Sequence, residues 1–147
     1  MPANKNMGTL YIVATPIGNL EDITLRAIST LRSVDAVICE EFRVGSSLLK
    51  RLEIEPKEII LLNEHNEEEQ ASQIAVRLAQ GQSMALISDT GTPVFADPGS
   101  LLISIASSFG IRVAPVPGAN SIVAALSVLD FKLDQFVFGG FLPREPE

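Results

Sequence analysis

The segment Ser88-Asp89-Thr90-Gly91-Thr92-Pro93-Val94-Phe95-Ala96-Asp97-Pro98-Gly99 packs two prolines, two glycines and two aspartates directly behind the apolar run Met84–Ile87. A plain connection needs neither so much rigidity nor so much bare backbone. Stiffened by Pro93 and Pro98, such a loop holds carbonyls and carboxylates at fixed positions around a cationic or hydroxyl-rich ligand, with little ordering loss on binding. Asp97-Pro98-Gly99 also has the make-up of a helix start, with Asp97 as N-cap and Pro98 at the first helical position. Asp89 to Pro93 is then the part that serves a site.

Two further turns follow the same logic. Thr15-Pro16-Ile17-Gly18-Asn19-Leu20 is neither a Walker loop, since no Gly-Lys-Ser/Thr follows, nor a Gly-x-Gly-x-x-Gly turn. Gly18 and Asn19 nevertheless permit positive φ and offer amide N–H groups near a helix start, suited to a polar or anionic group; a plain capped strand-to-helix turn fits equally well. In Pro117-Gly118-Ala119-Asn120-Ser121, Gly118 lets backbone approach a ligand, and small Ala119 and Ser121 leave room at a helix start. Glu40-Glu41-Phe42-Arg43 follows a strand, so two carboxylates and a guanidinium face the same crevice or form a solvated end.

The run Glu64-His65-Asn66-Glu67-Glu68-Glu69 invites a metal assignment, but acidic residues ahead of a helix complement its dipole without one, and Asn66 or Glu64 suffices as a cap. No metal is expected. Cys39 reads as a small core residue, having no evident histidine to activate it.

The elements that must hold these turns follow from apolar periodicity. Leu10–Ala14, Asp35–Cys39, Ile59–Leu62, Met84–Ile87, Ile111–Ala114 and Phe136–Phe138 read as short strands. Helical spacing runs from Asp22 to Ser33, Ser46 to Glu53, Gln70 to Gln80 with Gly81 as its stop, Leu101 to Ser108, and Ser121 to Leu129. Strand, loop and helix alternate about five times, which predicts an α/β domain with a mostly parallel sheet flanked by helices. In such sheets ligands bind beyond the carboxyl ends of the strands, so loops 15–22, 39–45, 88–99 and 115–121 should meet at one edge. The expected organisation is a flexible tail over 1–9, a domain over 10–138, and the start of an interdomain linker over 139–147.

Composition narrows the function classes. The 147 residues are 46% apolar with a mean hydropathy of +0.28, enough for a real core and against intrinsic disorder. Eleven Lys+Arg against eighteen Asp+Glu leave a formal charge of −7, and with one tyrosine and no tryptophan the chain by itself is no strong nucleic-acid binder. A single cysteine and a single histidine exclude an internal disulfide and a Cys/His zinc cluster. No apolar run approaches the roughly 20 residues of a membrane span, so a cytoplasmic, membrane-free setting is expected.

Taken in order, Leu10 to Thr24, Ser88-Asp89-Thr90-Gly91-Thr92-Pro93 with Asp97-Pro98-Gly99, and Pro117 to Ser121 resemble the tetrapyrrole-methylase-like, S-adenosylmethionine-dependent methyltransferases. The resemblance runs from about Leu10 to Arg144, and it is closest to the branch that methylates a cytidine ribose 2′-OH of small-subunit ribosomal RNA. It departs from that branch at Glu40-Glu41-Phe42-Arg43, where Glu-Asp-Thr-Arg is usual. Members of the branch continue into a second α/β domain, so the 147 residues are expected to be either a first-domain fragment or a natural short form that needs a partner to close the cleft. The resemblance implies S-adenosylmethionine as methyl donor, with Pro16, Gly18, Asn19, Asp89, Gly91, Thr92, Pro93, Gly118, Ala119 and Ser121 around it. Within that set, Gly91 to Pro93 would wrap the methionine end and Gly118 to Ser121 the adenosine end. Glu41, Asp89 and then His65 are the groups that could assist a ribose hydroxyl, and Arg43 could hold a substrate phosphate. Ribosomal RNA or the small subunit as partner, and a homodimer, are expected. The alternatives are a non-catalytic ligand-binding or dimerising module, and a methylase acting on a tetrapyrrole.

Overall fold

The computed structural model describes residues 6–94 and 98–143. Five parallel strands, β1 (Thr9–Val13), β2 (Ala36–Cys39), β3 (Glu58–Leu61), β4 (Met84–Ile87) and β5 (Arg112–Val116), form one sheet in the order β3-β2-β4-β1-β5. This is the α/β architecture the sequence predicts. β2 and β4 are continuous apolar runs buried on both faces, as interior strands of a parallel sheet must be.

Helices cover both faces. α3 (Glu67–Ala79) and α4 (Ser100–Ser108) pack on one side over Leu10, Ile38, Ile60 and Leu86. α1 (Leu25–Ser33) and α2 (Phe42–Arg51) lie on the other with Val13, Val37, Cys39, Ala85 and Ile87. The assignment alternates along each strand, as a two-residue side-chain period demands. At the edge, Arg77 of α3 reaches Glu58 of β3 with Nη1 2.8 Å from Oε1, and this hydrogen bond holds the Glu58 carboxyl below its usual range. The pair is too exposed to contribute more than about 1 kcal/mol.

Several expected boundaries move. Thr24 caps α1, its hydroxyl accepting from the Ala27 amide at 3.0 Å, so that helix begins at Leu25 while Leu20–Asp22 makes a separate 3-10 turn. α2 starts four residues earlier than the apolar spacing implied, with Glu41 as its N-cap residue. α3 likewise starts early, at Glu67. α5 (Ser121–Leu126) is shorter than expected and buries none of its residues.

The expected strand over Phe136–Phe138 is absent, and Val137 is 92% exposed. Its residues have β propensity, but all three stay exposed, and among the described residues the sheet ends at β5. The expected tail is also shorter: Met7 packs on the core, Gly8 is buried with its amide 2.8 Å from the Leu78 carbonyl, and Thr9 opens β1. Among the described residues, no helix is long and apolar enough to cross a membrane.

Cys39, at the end of β2, is fully buried against α2. Burial pushes its thiol up to about 11, so it is uncharged at neutral pH and inert as a nucleophile. It faces Gly45: a Cβ there would sit 2.8 Å from the Cys39 Sγ. Gly45→Ala is therefore expected to destabilise by about 1 kcal/mol despite better helix propensity, overpacking outweighing it. A double-mutant cycle with Cys39→Ala, read by urea unfolding, should show a favourable coupling of about 1 kcal/mol; strict additivity would refute the contact.

Candidate functional site

The chain builds β1, β2 and β3 outward, then returns to insert β4 between β2 and β1 before adding β5 beyond β1. The reversal lies at β1 and β4, and a parallel sheet opens a crevice at the carboxyl ends of the strands on either side of such a point. The loops leaving β1 and β4 are stitched together there. The Thr15 amide donates to the Gly91 carbonyl at 2.9 Å and the Gly91 amide returns to the Thr15 carbonyl at 3.0 Å. The buried Ser88 hydroxyl closes the turn from within, donating to the carbonyls of Thr90 at 2.9 Å and Gly91 at 3.1 Å.

The third loop joins through Thr92, whose hydroxyl donates to the Ala119 carbonyl at 3.1 Å. Gly91 has φ +78°, and a Cβ on it would lie 3.2 Å from Ile17 and 3.6 Å from the Ala119 oxygen, so the three turns touch through a position only glycine fills comfortably. Gly118 sits closely on the residue that follows β1, where a Cβ would lie 3.0 Å from the Ala14 Cβ.

A cleft of about 350 Å³ opens beside this junction. Pro16 and Gly18 from the first loop, Arg43, Ser47 and Arg51 from α2, and Asp89 and Thr90 from the β4 loop form its wall. Of the residues singled out by sequence, Pro16, Gly18, Arg43 and Asp89 meet in the cleft, while Gly91, Thr92, Gly118 and Ala119 build the junction beside it. Asn19 and Asn120 are occupied as caps, accepting from the amides of Glu21 and Val123, each at 3.0 Å. Glu41, Pro93 and Ser121 are not on the cleft wall, Pro93 being buried and the other two exposed. His65 is exposed beside Glu64 and also lies off that wall. A larger hollow of about 500 Å³, lined by Phe42, Leu49, Ile54 and Ile59, contains none of the predicted site residues.

Ser47 and Arg51 were not foreseen. Their trace in the sequence is the four-residue spacing Arg43, Ser47, Arg51, legible only once α2 is known to begin at Phe42. The acidic run has a use that sequence missed too. Glu67 of α3 accepts from the amides of Gly99 at 2.9 Å and Leu101 at 3.2 Å, capping α4 from a different helix. Gly99 rather than Asp97 is the N-cap position of α4; Asp97 itself lies outside the described residues.

Residues 9–145 match the model of the tetrapyrrole (corrin/porphyrin) methylases. The chain belongs to this family. It is 48% identical over 139 residues to the ribosomal RNA small subunit methyltransferase I of Xylella fastidiosa, covering 95% of this chain and 50% of that one. To the protein of the same name from Leptospira biflexa it is 45% identical over 146 residues, with 99% and 60% covered. The chain thus spans about half the length of the curated relatives it matches. Among solved structures, uroporphyrin-III-C-methyltransferase from Thermus thermophilus superposes with a TM-score of 0.62 at 24% identity, covering 87% of this chain and 54% of that one. A diphthine synthase reaches 0.65 at 20% identity, with 82% and 48% covered. These likenesses establish the tetrapyrrole methylase fold for this chain.

Proposed function

We propose that this tetrapyrrole methylase domain is the donor-binding half of an S-adenosylmethionine-dependent methyltransferase whose acceptor is a cytidine ribose 2′-hydroxyl of small-subunit ribosomal RNA. The observation that carries the reading is the stitched junction of the 15–20, 88–92 and 118–119 loops at the switch point of the sheet. Those loops fit the donor's chemistry. Gly18, at φ +142° with open space where a Cβ would stand, displays backbone to a ligand carrying a carboxylate, ribose hydroxyls and an adenine edge, while Gly91, its own backbone paired with Thr15, holds the loops in place.

The bound donor supplies an electrophilic methyl on a sulfonium. Transfer forms a C–O bond and breaks the C–S bond, whose electron pair stays on sulfur, while the hydroxyl proton leaves to a base. The chain's own task is alignment of hydroxyl and methyl, which the stiff junction provides by holding three loops in one arrangement. Asp89, on the cleft wall, is the group we assign to accept that proton; Glu41 and His65 stand off the wall and rank below it. A second copy of the chain belongs to the same reading as the partner of the assembled enzyme.

Calorimetric titration with S-adenosylmethionine, followed by labelled methyl transfer to small-subunit ribosomal RNA and mapping of the product by resistance to alkaline hydrolysis, tests this. Asp89→Ala is expected to lower turnover by about 10²-fold or more with an unchanged melting temperature. Equal turnover in variant and parent would remove Asp89 from the reaction; no saturable donor uptake would remove the reading itself.

A further inference from the structure

α2 carries Arg43, Lys50 and Arg51 and no acidic residue, in a chain whose formal charge is −7. Arg43, Ser47 and Arg51, on successive turns, all line the cleft. Among the described residues neither guanidinium has an ion pair. Asp89 is the carboxylate that shares the wall with them, leaving the cleft locally positive.

Helix stability does not explain the arrangement. Arg51 in the last turn suits the helix dipole, but Arg43 lies in the first turn, where a cation is disfavoured. The two arginines are eight residues apart, about 12 Å along the axis at 1.5 Å per residue, far enough for each to meet a different phosphate of one strand. Guanidinium forks with a hydroxyl between them match a row of phosphate oxygens.

We propose that the Arg43–Ser47–Arg51 face of α2 is a track for the backbone phosphates of a single-stranded RNA acceptor, leading its ribose to Asp89. This rests on the reading of the cleft as a methyl-transfer site on RNA. A polycarboxylate tetrapyrrole shares the anionic chemistry; the 45–48% identity to ribosomal RNA methyltransferases, against 24% to the uroporphyrin enzyme, favours RNA.

The test measures binding of a short, mixed-sequence, single-stranded RNA to the chain across a sodium chloride series. Each phosphate contact adds about 0.7 to the slope of log K against log salt for single strands. Arg43→Gln and Arg51→Gln should each flatten the slope by about 0.7, and the pair by about 1.4. Arg112→Gln, which removes the same charge at the first residue of β5, at the opposite end of the sheet, should leave the slope unmoved. Donor affinity of Arg51→Gln, read by calorimetry, should equal that of the parent chain.

No measurable RNA binding, or slopes unmoved in the double variant, overturns the track while donor uptake leaves the methyltransferase reading intact. Equal flattening by Arg112→Gln overturns it as a mere net-charge effect. Loss of donor binding in Arg51→Gln, or of uroporphyrin binding in the double variant with the RNA slope unchanged, assigns the arginines elsewhere and also overturns it.

Discussion

Gly8→Ala is expected to remove about 3 kcal/mol or more of folding free energy, although it adds one methyl group to a residue outside every predicted site. The methyl would stand 1.7 Å from the Gln82 carbonyl oxygen, 2.3 Å from its carbon and 2.9 Å from the Ser83 nitrogen. These are peptide atoms, which cannot rotate aside as a side chain can. They are also held: the Ser83 amide donates to Asp35 at 2.8 Å and the Ser83 hydroxyl accepts from the Thr9 amide at 3.0 Å. Relief would require β1 to part from the turn that feeds β4, loosening the pairing at the centre of the sheet. Urea unfolding should show a lower midpoint with the slope little changed. A loss below about 1 kcal/mol would mean that the two segments have room to separate.

Gly91→Val should have the largest effect on the candidate site. A non-glycine residue held at positive φ costs about 1–3 kcal/mol, and a β-branched one stands at the upper end. The branched carbon would also press on Ile17 and the Ala119 carbonyl, pushing apart the loops that Thr15 and Thr92 hold together. We expect the melting temperature to fall and the affinity for S-adenosylmethionine to drop about tenfold or more, roughly 1.4 kcal/mol of binding energy. Gly91→Ala should show the same changes on a smaller scale. Parent-like donor affinity in the valine variant would show that the junction does not shape the site.

These two positions show what could and could not be read from the chain. Gly91 lies in a segment whose crowding of proline, glycine and aspartate behind an apolar strand already singles it out as a candidate site loop. Gly8 lies in what reads as a flexible tail, and nothing local distinguishes it. Its requirement for glycine is set by Gln82 and Ser83, more than seventy residues away in sequence, and no periodicity reports contacts at that range.

The same division holds across the fold. Val37 and Ile38, or Ala85 and Leu86, announce doubly buried strands because a parallel sheet covered on both faces tolerates no polar residue there. Phe136–Phe138 has comparable composition and forms no strand, because propensity becomes a strand only where the side chains gain burial, and all three residues stay exposed.

By itself the sequence determined the fold class, the alternation of strand and helix, the family resemblance and the turns proposed to carry chemistry. Each of these depends on side-chain period, burial or turn geometry within a short stretch. The tertiary structure alone decided the strand order β3-β2-β4-β1-β5, the Thr15–Gly91 stitch, the use of Glu67 to cap α4, and the meeting of Arg51 with Asp89 on one wall. Those depend on which distant segments the packed sheet brings into contact, and that choice is a property of the whole chain's burial.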